Sequence, residues 1–208
     1  GIVLPKKNKP EIAVMNKKQQ LRLEKYLDER PSVTSVGIAI SMYMGLRIGE
    51  VCALQWKEID LEKRVLTVSK TIQRVQCRTG SKQTKLIITE PKSESSKRTI
   101  PIPDCLLPLL RRFKDNGEVY VVSGRKKPVE PRTMQYRFAK ILHNADLPSF
   151  HYHSLRHLFA TRCVELGFDV KTLSEILGHS SVEVTLNRYI HSDMERKRTC
   201  MSLLSKCA

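Results

Sequence analysis

The residues best suited to chemistry in this sequence lie between positions 151 and 191. This stretch holds five of the six histidines, together with Arg156 and Tyr189. His153 and Arg156 are three residues apart, a spacing that places both on one side of a helix. His179 follows later, and Tyr189 comes ten residues after it. Cations, proton carriers and one phenol therefore occur in a single segment.

Such a set suits the cleavage of a phosphodiester bond without a metal ion. Negative charge grows on the phosphate oxygens as a nucleophile attacks, and fixed cations stabilise that charge. Arginine serves best because its planar guanidinium group contacts two oxygens and stays protonated. A tyrosine hydroxyl can attack the phosphorus and form a covalent intermediate, while a nearby acid protonates the leaving oxygen. Since the ordinary tyrosine pKa is about 10, the attack needs positive charge nearby.

Hydrophobic spacing predicts the helices that would hold these residues. Apolar residues recur at three- and four-residue steps from Leu155 to Leu166, which is typical of one buried helix face, and Gly167 ends this helix. A second helix is predicted over residues 170–177. Gly178 ends it, so that His179 lies in the turn that follows.

A third short helix is predicted to carry Tyr189. Ser180 and Glu183 fit a capping box at its start. Three short helices with little chain between them would therefore hold a His–Arg pair, a loop histidine and a tyrosine close together.

The rest of the chain is predicted to be mainly helical. Asn16 caps the first helix, which ends before Pro31. Ser32 or Thr34 begins a second helix that is apolar on almost every side and should therefore be central, and Gly45 interrupts it. Further helices are predicted at residues 47–56, 104–114 and 133–144.

A small sheet is predicted beside these helices. Alternating, β-branched residues from 56 to 75, with a charged turn at 60–63, indicate strands. Residues 85–103 are predicted to form one hairpin around a turn rich in Ser, Glu and Lys, and residues 118–123 a short buried strand. The expected fold is therefore mainly α with a small antiparallel β-sheet or hairpin, an α+β domain.

The charge of the chain indicates a polyanionic partner. Thirty-seven basic residues oppose twenty-one acidic ones, for a net charge of +16 and a pI of about 9.8. Nucleic acid is the usual partner of so basic a protein, although charge can also serve only solubility. No apolar run approaches the length of a membrane span, and no basic amphipathic helix stands out, so no membrane partner is predicted.

Neither a metal nor a cofactor is predicted. The six cysteines form no C-x-x-C pair and no zinc-ligand spacing, and reduced thiols are expected. Cys52 and Cys163 fall in helical apolar patterns typical of small buried residues. His151, His153 and His157 lack acidic or cysteine partners at ligand spacing.

Several segments, taken in order, resemble the tyrosine recombinases, the phage-integrase family. The resemblance extends from about Lys18 to His191. It rests on these segments: GLRIGEVCALQW at 45–56, TEPKSESSKRTIPIP at 89–103, HSLRH at 153–157, LGHSS at 177–181 and NRYIH at 187–191. It implies a tyrosine recombinase catalytic-domain fold over residues 16–192. Residues 1–15 would form a basic arm or linker and residues 193–208 a tail helix.

The resemblance implies roles for the cations of the site. Arg47 and Arg156 would hold the phosphate, and Glu50 would orient Arg47 or another site group. His153 would contact the phosphate and accept the proton of the nucleophile. His179 would donate a hydrogen bond to the phosphate.

Tyr189 would be the nucleophile and would leave a 3′-phosphotyrosyl link. Lys92 would be the general acid for the leaving 5′-oxygen. This assignment rests on the family's hairpin pattern, because Lys82, Lys85 and Lys97 lie nearby and lysines in hairpins are usually solvated. Less specific DNA contacts are expected at further basic residues: Lys97, Arg98, Lys126, Lys127 and Arg132.

The implied activity is site-specific recombination of double-stranded DNA, without metal or ATP. The hairpin region and the SGRKK loop most resemble those of integrases from mobile elements such as conjugative transposons or phages. Two alternatives remain: a type IB topoisomerase-like enzyme that only relaxes DNA, and a non-catalytic DNA-binding protein of the same fold.

The resemblance also implies an assembly. Family members work as tetramers on two DNA sites and exchange C-terminal segments, for which residues 193–208 are the candidate. An N-terminal core-binding domain is expected in the family and is not visible in this sequence. An accessory directionality factor and a cytoplasmic, nucleoid-associated location in a bacterium are further expectations.

Overall fold

The computed structural model describes residues 15–76, 84–90, 97–179 and 181–189, together with residues 198, 201 and 202. For residues 187–189 it describes the backbone alone. The predicted arm at 1–15 and tail at 193–208 therefore lie almost entirely outside the described residues. The helices are α1 Lys17–Glu29, α2 Val33–Met44, α3 Ile48–Ala53, α4 Leu107–Phe113, α5 Pro131–Asn144, α6 Ser154–Glu165, α7 Val170–Leu177 and α8 Val182–Tyr189. Two short 3-10 helices cover Trp56–Glu58 and Asp104–Leu106.

The strands form two antiparallel sheets. They are β1 Ile59–Asp60, β2 Val65–Val68, β3 Thr71–Gln76, β4 Thr84–Thr89 and β5 Arg98–Pro101. One sheet has the order β1-β2-β5, and the other pairs β3 with β4. The prediction of a mainly helical domain with a small antiparallel sheet is confirmed.

The prediction that residues 85–103 form one hairpin is wrong. Strand β4 pairs along its whole length with β3, whereas β5 pairs with β2. Ile100 of β5 lies opposite Leu66 and both are buried, while Leu86 and Ile88 of β4 are exposed. The apolar face of β5 is covered only in the sheet that packs on the core, so β5 joins that sheet and β4 extends an exposed ribbon.

Helix α2 lies at the centre of the domain, as its apolar sequence predicts. It packs against α3, α4, α5 and α6. Ser32 caps it by accepting a hydrogen bond from the Ser35 amide, and Gly45 ends it in the left-handed conformation. Tyr152 connects the segment before α6 to this helix. Its hydroxyl forms hydrogen bonds with the Ser41 hydroxyl at 2.9 Å and with the Gly37 carbonyl at 3.1 Å.

Helix α1 begins where the sequence predicts. The Asn16 side chain accepts from the Gln19 amide, and the Gln19 side chain accepts in turn from the Asn16 amide, which completes a capping box. Pro108 lies in the first turn of α4, where its missing N–H is no loss. The 3-10 helix before it accounts for the rest of the predicted helix at 104–114.

Two local predictions are wrong. Residues 118–123 form turns and single backbone bridges rather than a strand, although Val121 and Val122 are fully buried as expected. Leu166, predicted to be buried on α6, is 68% exposed. It follows the last residue of the helix, where the buried face no longer continues.

Two of the cysteines lie as their helical apolar pattern predicts. Cys52 and Cys163 are buried and form no disulfide. Burial raises the pKa of the Cys163 thiol to about 11, so it stays protonated at neutral pH. Among the described residues, no helix combines the length and apolar character that a membrane crossing requires.

Replacing Gly45 with alanine is expected to destabilise the fold by roughly 3 kcal/mol. Gly45 has a φ of +69°, and an added Cβ would lie 2.5 Å from Cδ1 of Phe159. The strain of the left-handed backbone costs about 1–2 kcal/mol and the steric overlap about 1–3 kcal/mol more. Urea unfolding measures the loss.

Gly167→Ala provides the matched control. Its φ is +82°, but nothing lies within 4 Å of an added Cβ, so only the backbone strain of about 1 kcal/mol applies. Equal losses in the two variants would show that the contact with Phe159 contributes nothing.

Candidate active site

Arg156 is the most deeply buried cation of the candidate site. It lies in α6 and is 2% exposed. Its Nη1 donates to the carbonyl of Gly45 at 2.8 Å, and its Nη2 donates to the carbonyl of Leu177 at 2.7 Å. A buried charge needs such partners. These bonds hold the guanidinium between the end of α2 and the end of α7.

Arg47 approaches the same place from another segment. It precedes the first residue of α3, and its side chain is 38% exposed. Its Nη2 donates to the carbonyl of Gly178 at 3.1 Å, and its Nη1 donates to Oε1 of Glu50 at 2.9 Å. Arg47 is therefore a fixed cation that an incoming anion can still reach.

The last carbonyls of α7 bring the arginines together. Carbonyls at the end of a helix lack partners within the helix and carry partial negative charge. Those of Ile176, Leu177 and Gly178 are here called the arginine-binding end of α7. They accept hydrogen bonds from three different arginines in turn: Arg98, Arg156 and Arg47. Guanidinium groups from three distant parts of the chain thus converge beside the residue that precedes His179.

His179 lies in the turn that follows α7, as the sequence predicts. Gly178 makes the turn in the left-handed conformation, with a φ of +62°. The Nδ1 atom of His179 lies 2.7 Å from the hydroxyl of Thr185, which is fully buried in α8. This bond orients the imidazole ring and connects α8 to the arginine-binding end of α7.

His153 is exposed at the start of α6. Its ring stands perpendicular to that of His157, with the centroids 4.7 Å apart, and His157 is buried. A cleft of about 590 Å³ opens beside it, lined among others by His153, His151, Arg132 and Tyr136. His153 is therefore exposed to solvent through this cleft.

Glu50 lies beneath the arginines with a side chain 5% exposed. It contacts both Arg47 and Arg98. Burial raises the pKa of its carboxyl, but the hydrogen bonds and charge of Arg98, and then of Arg47, outweigh burial and hold the pKa below its ordinary value. Glu50 is therefore an anion that neutralises one of the three guanidinium charges.

Arg98 does not lie where a surface contact with DNA was expected. Its side chain is 7% exposed and forms an ion pair with Glu50. The sequence contained a signal for this placement. Arg98 stands two residues before Ile100 in β5, and residues two apart in a strand share a face. Since Ile100 is buried, Arg98 is turned inward as well.

The other predicted residues fall into two groups. Lys97, Lys126, Lys127 and Arg132 are exposed, and Lys97 lines a surface pocket of about 360 Å³ together with His179. Lys92 lies outside the described residues. Tyr189 is the last residue of α8, and its side chain lies outside the described part of the chain. Within the described residues, no group of His, Cys, Asp or Glu side chains is arranged to hold a metal ion.

Replacing Glu50 with glutamine is expected to lower the free energy of unfolding by roughly 3 kcal/mol at pH 7. The change leaves the buried Arg98 guanidinium without its counter-charge, and breaking a buried pair costs about 3–5 kcal/mol. The folded pKa of Glu50 is lowered, so its ion pairs stabilise the fold above the unfolded pKa of about 4.3. That stability is lost as the pH falls through the folded pKa.

Urea unfolding of both proteins at pH 7 and at about pH 3 tests this expectation. The gap between wild type and Glu50→Gln should narrow at the lower pH. Glu118→Gln is the control, because Glu118 forms an exposed ion pair with Lys57 and should matter little. A gap that stays constant with pH would show that the charge of Glu50 is not the source of the stability.

Known proteins provide an independent comparison. The family model described as the phage integrase family matches residues 13–196. A XerC-like tyrosine recombinase from Caldanaerobacter subterraneus subsp. tengcongensis is 33% identical over 180 residues, which cover 77% of this chain and 46% of that protein. A tyrosine recombinase from Thermosipho africanus is 29% identical over 163 residues, covering 76% of this chain and 50% of that protein.

Solved structures agree with this relationship. The structure of the Tn1549 transposon integrase in complex with transposon right end DNA has a TM-score of 0.76 and 26% identity, and the match covers 98% of this chain and 69% of that one. The chain spans about half the length of the curated relatives it matches. With the family model matched over most of its length, the chain belongs to the phage integrase family, the tyrosine recombinases.

Proposed function

We propose that this chain carries the catalytic domain of a site-specific recombinase, an integrase that cuts and rejoins double-stranded DNA through a 3′-phosphotyrosyl intermediate. The observation that carries the proposal is the convergence of Arg47 and Arg156 on adjacent carbonyls at the arginine-binding end of α7, directly before His179. Three guanidinium groups bind this helix end, and one carboxylate, Glu50, pairs with two of them, which leaves an excess of positive charge for a phosphate. Domain boundaries at residues 16–192 are part of the proposal.

The first step of the proposed reaction joins Tyr189 to DNA. Its hydroxyl oxygen attacks the scissile phosphorus and forms the new P–O bond, and His153 takes the hydroxyl proton. The bond from phosphorus to the 5′-oxygen breaks, and Lys92 protonates that oxygen. Arg47, Arg156 and His179 stabilise the charge that develops on the phosphate oxygens.

The second step reverses the first with a different DNA strand. A 5′-hydroxyl attacks the phosphorus and gives its proton to Lys92, while the bond from phosphorus to Tyr189 breaks and the phenol oxygen takes back the proton held by His153. The covalent link preserves the energy of the phosphodiester bond, so the proposed reaction uses neither ATP nor a metal.

The two arginines differ in how an anion reaches them. Arg47 is accessible, whereas Arg156 is almost fully covered. We infer that an incoming phosphate meets Arg47 before Arg156. The bond between Thr185 and His179 connects α8, the helix that ends at Tyr189, to the turn that follows α7.

Double-stranded DNA is the proposed partner. The net charge of +16 and the exposed Lys97, Lys126, Lys127 and Arg132 support it. A tetramer on two DNA sites, with residues 193–208 docking on a neighbouring copy, an accessory directionality factor and a site of action at bacterial DNA in the cytoplasm complete the proposal by resemblance to the family.

Covalent trapping tests the proposed function. The 208-residue chain is incubated with a labelled library of duplexes that carry a nick in a randomised segment, so that the cleaved strand end diffuses away and the tyrosyl link persists. We expect a protein–DNA band that survives SDS, and sequencing of its DNA identifies the site. Absence of such a band, with DNA binding retained, would support the non-catalytic alternative.

A second assay separates recombination from relaxation. Two plasmids that carry the recovered site are incubated with the chain. Joined products are expected for a recombinase, whereas relaxation without joining would favour the topoisomerase-like alternative.

A further inference from the structure

The third arginine of the site has no role in the proposed reaction. Arg98 begins β5, and its side chain is almost fully buried, where a charge is costly unless it is paired and hydrogen-bonded. Its contacts indicate that it holds other groups in place.

Arg98 connects three elements of the fold. Its Nε donates to the carbonyl of Ile176 at 2.6 Å, at the arginine-binding end of α7. Its Nη1 and Nη2 donate to Oε1 and Oε2 of Glu50 at 3.1 and 3.0 Å, a two-pronged pair between β5 and α3. A planar guanidinium is suited to such a pair because its two N–H groups match the carboxylate geometry.

Glu50 passes this constraint on to Arg47. Its Oε1 accepts from Nη1 of Arg47 at 2.9 Å as well as from Arg98, and its Oε2 accepts from the Arg47 amide at 2.8 Å as well as from Arg98. Both oxygens are thus shared between the two arginines. Rotation of the carboxylate would break the bonds to both, so Arg98 prevents Glu50 from releasing Arg47.

Arg98 also lies under the turn that presents His179. A Cβ added to Gly178 would be 2.9 Å from Nη1 of Arg98. The absence of a side chain at Gly178 therefore lets the guanidinium pack against the turn. Arg47 bonds the carbonyl of this same glycine, so one buried cation supports both the arginine and the histidine of the site.

We propose that Arg98 is a positioning residue: acting through Glu50 and the arginine-binding end of α7, it fixes Arg47 and His179 in the orientation that cleavage requires. The inference rests on the proposed function. It replaces the expectation that Arg98 contacts DNA, and the two roles predict opposite kinetics.

The test compares Arg98→Met and Arg98→Lys with wild type on the nicked duplex recovered from the library. A positioning role predicts that the single-turnover rate at saturating DNA falls about 100-fold in Arg98→Met, as loss of one oriented donor does, while the Kd for DNA stays within about twofold. Arg98→Lys keeps the charge and one donor, so its single-turnover rate should be about tenfold higher than that of Arg98→Met. A phosphate contact predicts the reverse, a weaker Kd with a shallower salt dependence and an unchanged rate.

Two further variants sharpen the result. Arg22→Met removes an arginine of α1 from an exposed ion pair with Asp146 and should match wild type. In the Glu50→Gln background, Arg98→Met should lower the rate by less than about threefold, because residues that act through one another are not additive. Urea unfolding confirms that each variant is folded under the assay conditions, and Arg98→Lys carries the comparison if Arg98→Met is not folded.

The outcomes distinguish a failure of the role proposed for Arg98 from a failure of the proposed recombinase function. If wild type forms the covalent complex and the Arg98 variants match its rate, Arg98 does not position the site, although the enzyme assignment stands. Full additivity with Glu50→Gln, or a change in Kd alone, would also overturn the inference. If wild type forms no covalent complex on any DNA of the library, the proposed function itself fails.

Discussion

Tyr189→Phe is expected to abolish covalent attachment to DNA and to leave DNA binding within about twofold of wild type. Phenylalanine keeps the ring and removes only the oxygen that would attack the phosphorus. Loss of a nucleophile typically lowers a rate on the order of 10⁴-fold or more. The assay is the SDS-resistant band on the nicked duplex, with affinity measured in parallel by titration of the same duplex.

A second tyrosine provides the control. Tyr26 of α1 carries a hydroxyl that bonds only at the surface, to the side chain of Asn144 at 3.4 Å among its described contacts. Tyr26→Phe should therefore form the covalent complex at the wild-type rate. A band of normal intensity from Tyr189→Phe would mean that another hydroxyl is the nucleophile and that the role given to α8 is mistaken.

The helices around the site could be predicted because their signals are local. The spacing of apolar residues from 155 to 177 determines which faces of α6 and α7 are buried, and two glycines mark where those helices end. His179 consequently falls in the turn where the sequence places it. Helix caps are equally local, and Asn16 and Ser32 cap α1 and α2 through neighbours only three residues away.

The pairing of strands could not be predicted in the same way. Residues 84–89 and 98–101 follow each other closely and both have strand character, which favours a hairpin. Their true partners are β3 and β2, and the choice depends on which apolar faces the helical core covers. Which strand faces are covered depends on the packing of the whole domain and has no local signal in the sequence.

The interior of the site was also beyond a residue-by-residue interpretation. Arg98 occurs in a basic segment, where a surface role is the ordinary expectation. Its spacing of two residues from Ile100 indicates an inward side chain, but that signal applies only once residues 98–101 are known to form a strand of the inner sheet that faces Glu50. The carbonyls of residues 176–178 have no sequence signature at all, because any residue type provides a backbone acceptor.

Arg156→Ala and Arg47→Ala are expected to have similar effects on cleavage and different effects on stability. Each removes a fixed cation from the charge that develops on the phosphate, so each should lower the single-turnover rate on the order of 10²–10³-fold. Arg156→Ala also leaves the carbonyls of Gly45 and Leu177 without their buried donor. An unsatisfied buried group costs about 1–3 kcal/mol, so this variant should lose roughly 3 kcal/mol or more.

Arg47→Ala should lower the free energy of unfolding less than Arg156→Ala does, because the Arg47 side chain is partly exposed and Glu50 keeps its pair with Arg98. We expect a loss of about 1 kcal/mol in urea unfolding. Arg156→Lys distinguishes charge from geometry. Lysine restores a cation, but its single ammonium group cannot bond both carbonyls as the planar guanidinium does, so its cleavage rate should stay close to that of Arg156→Ala. If Arg156→Ala kept wild-type stability, the bonds that place Arg156 at the end of α7 would be unimportant. The convergence of arginines on that helix end would then no longer support a phosphate site.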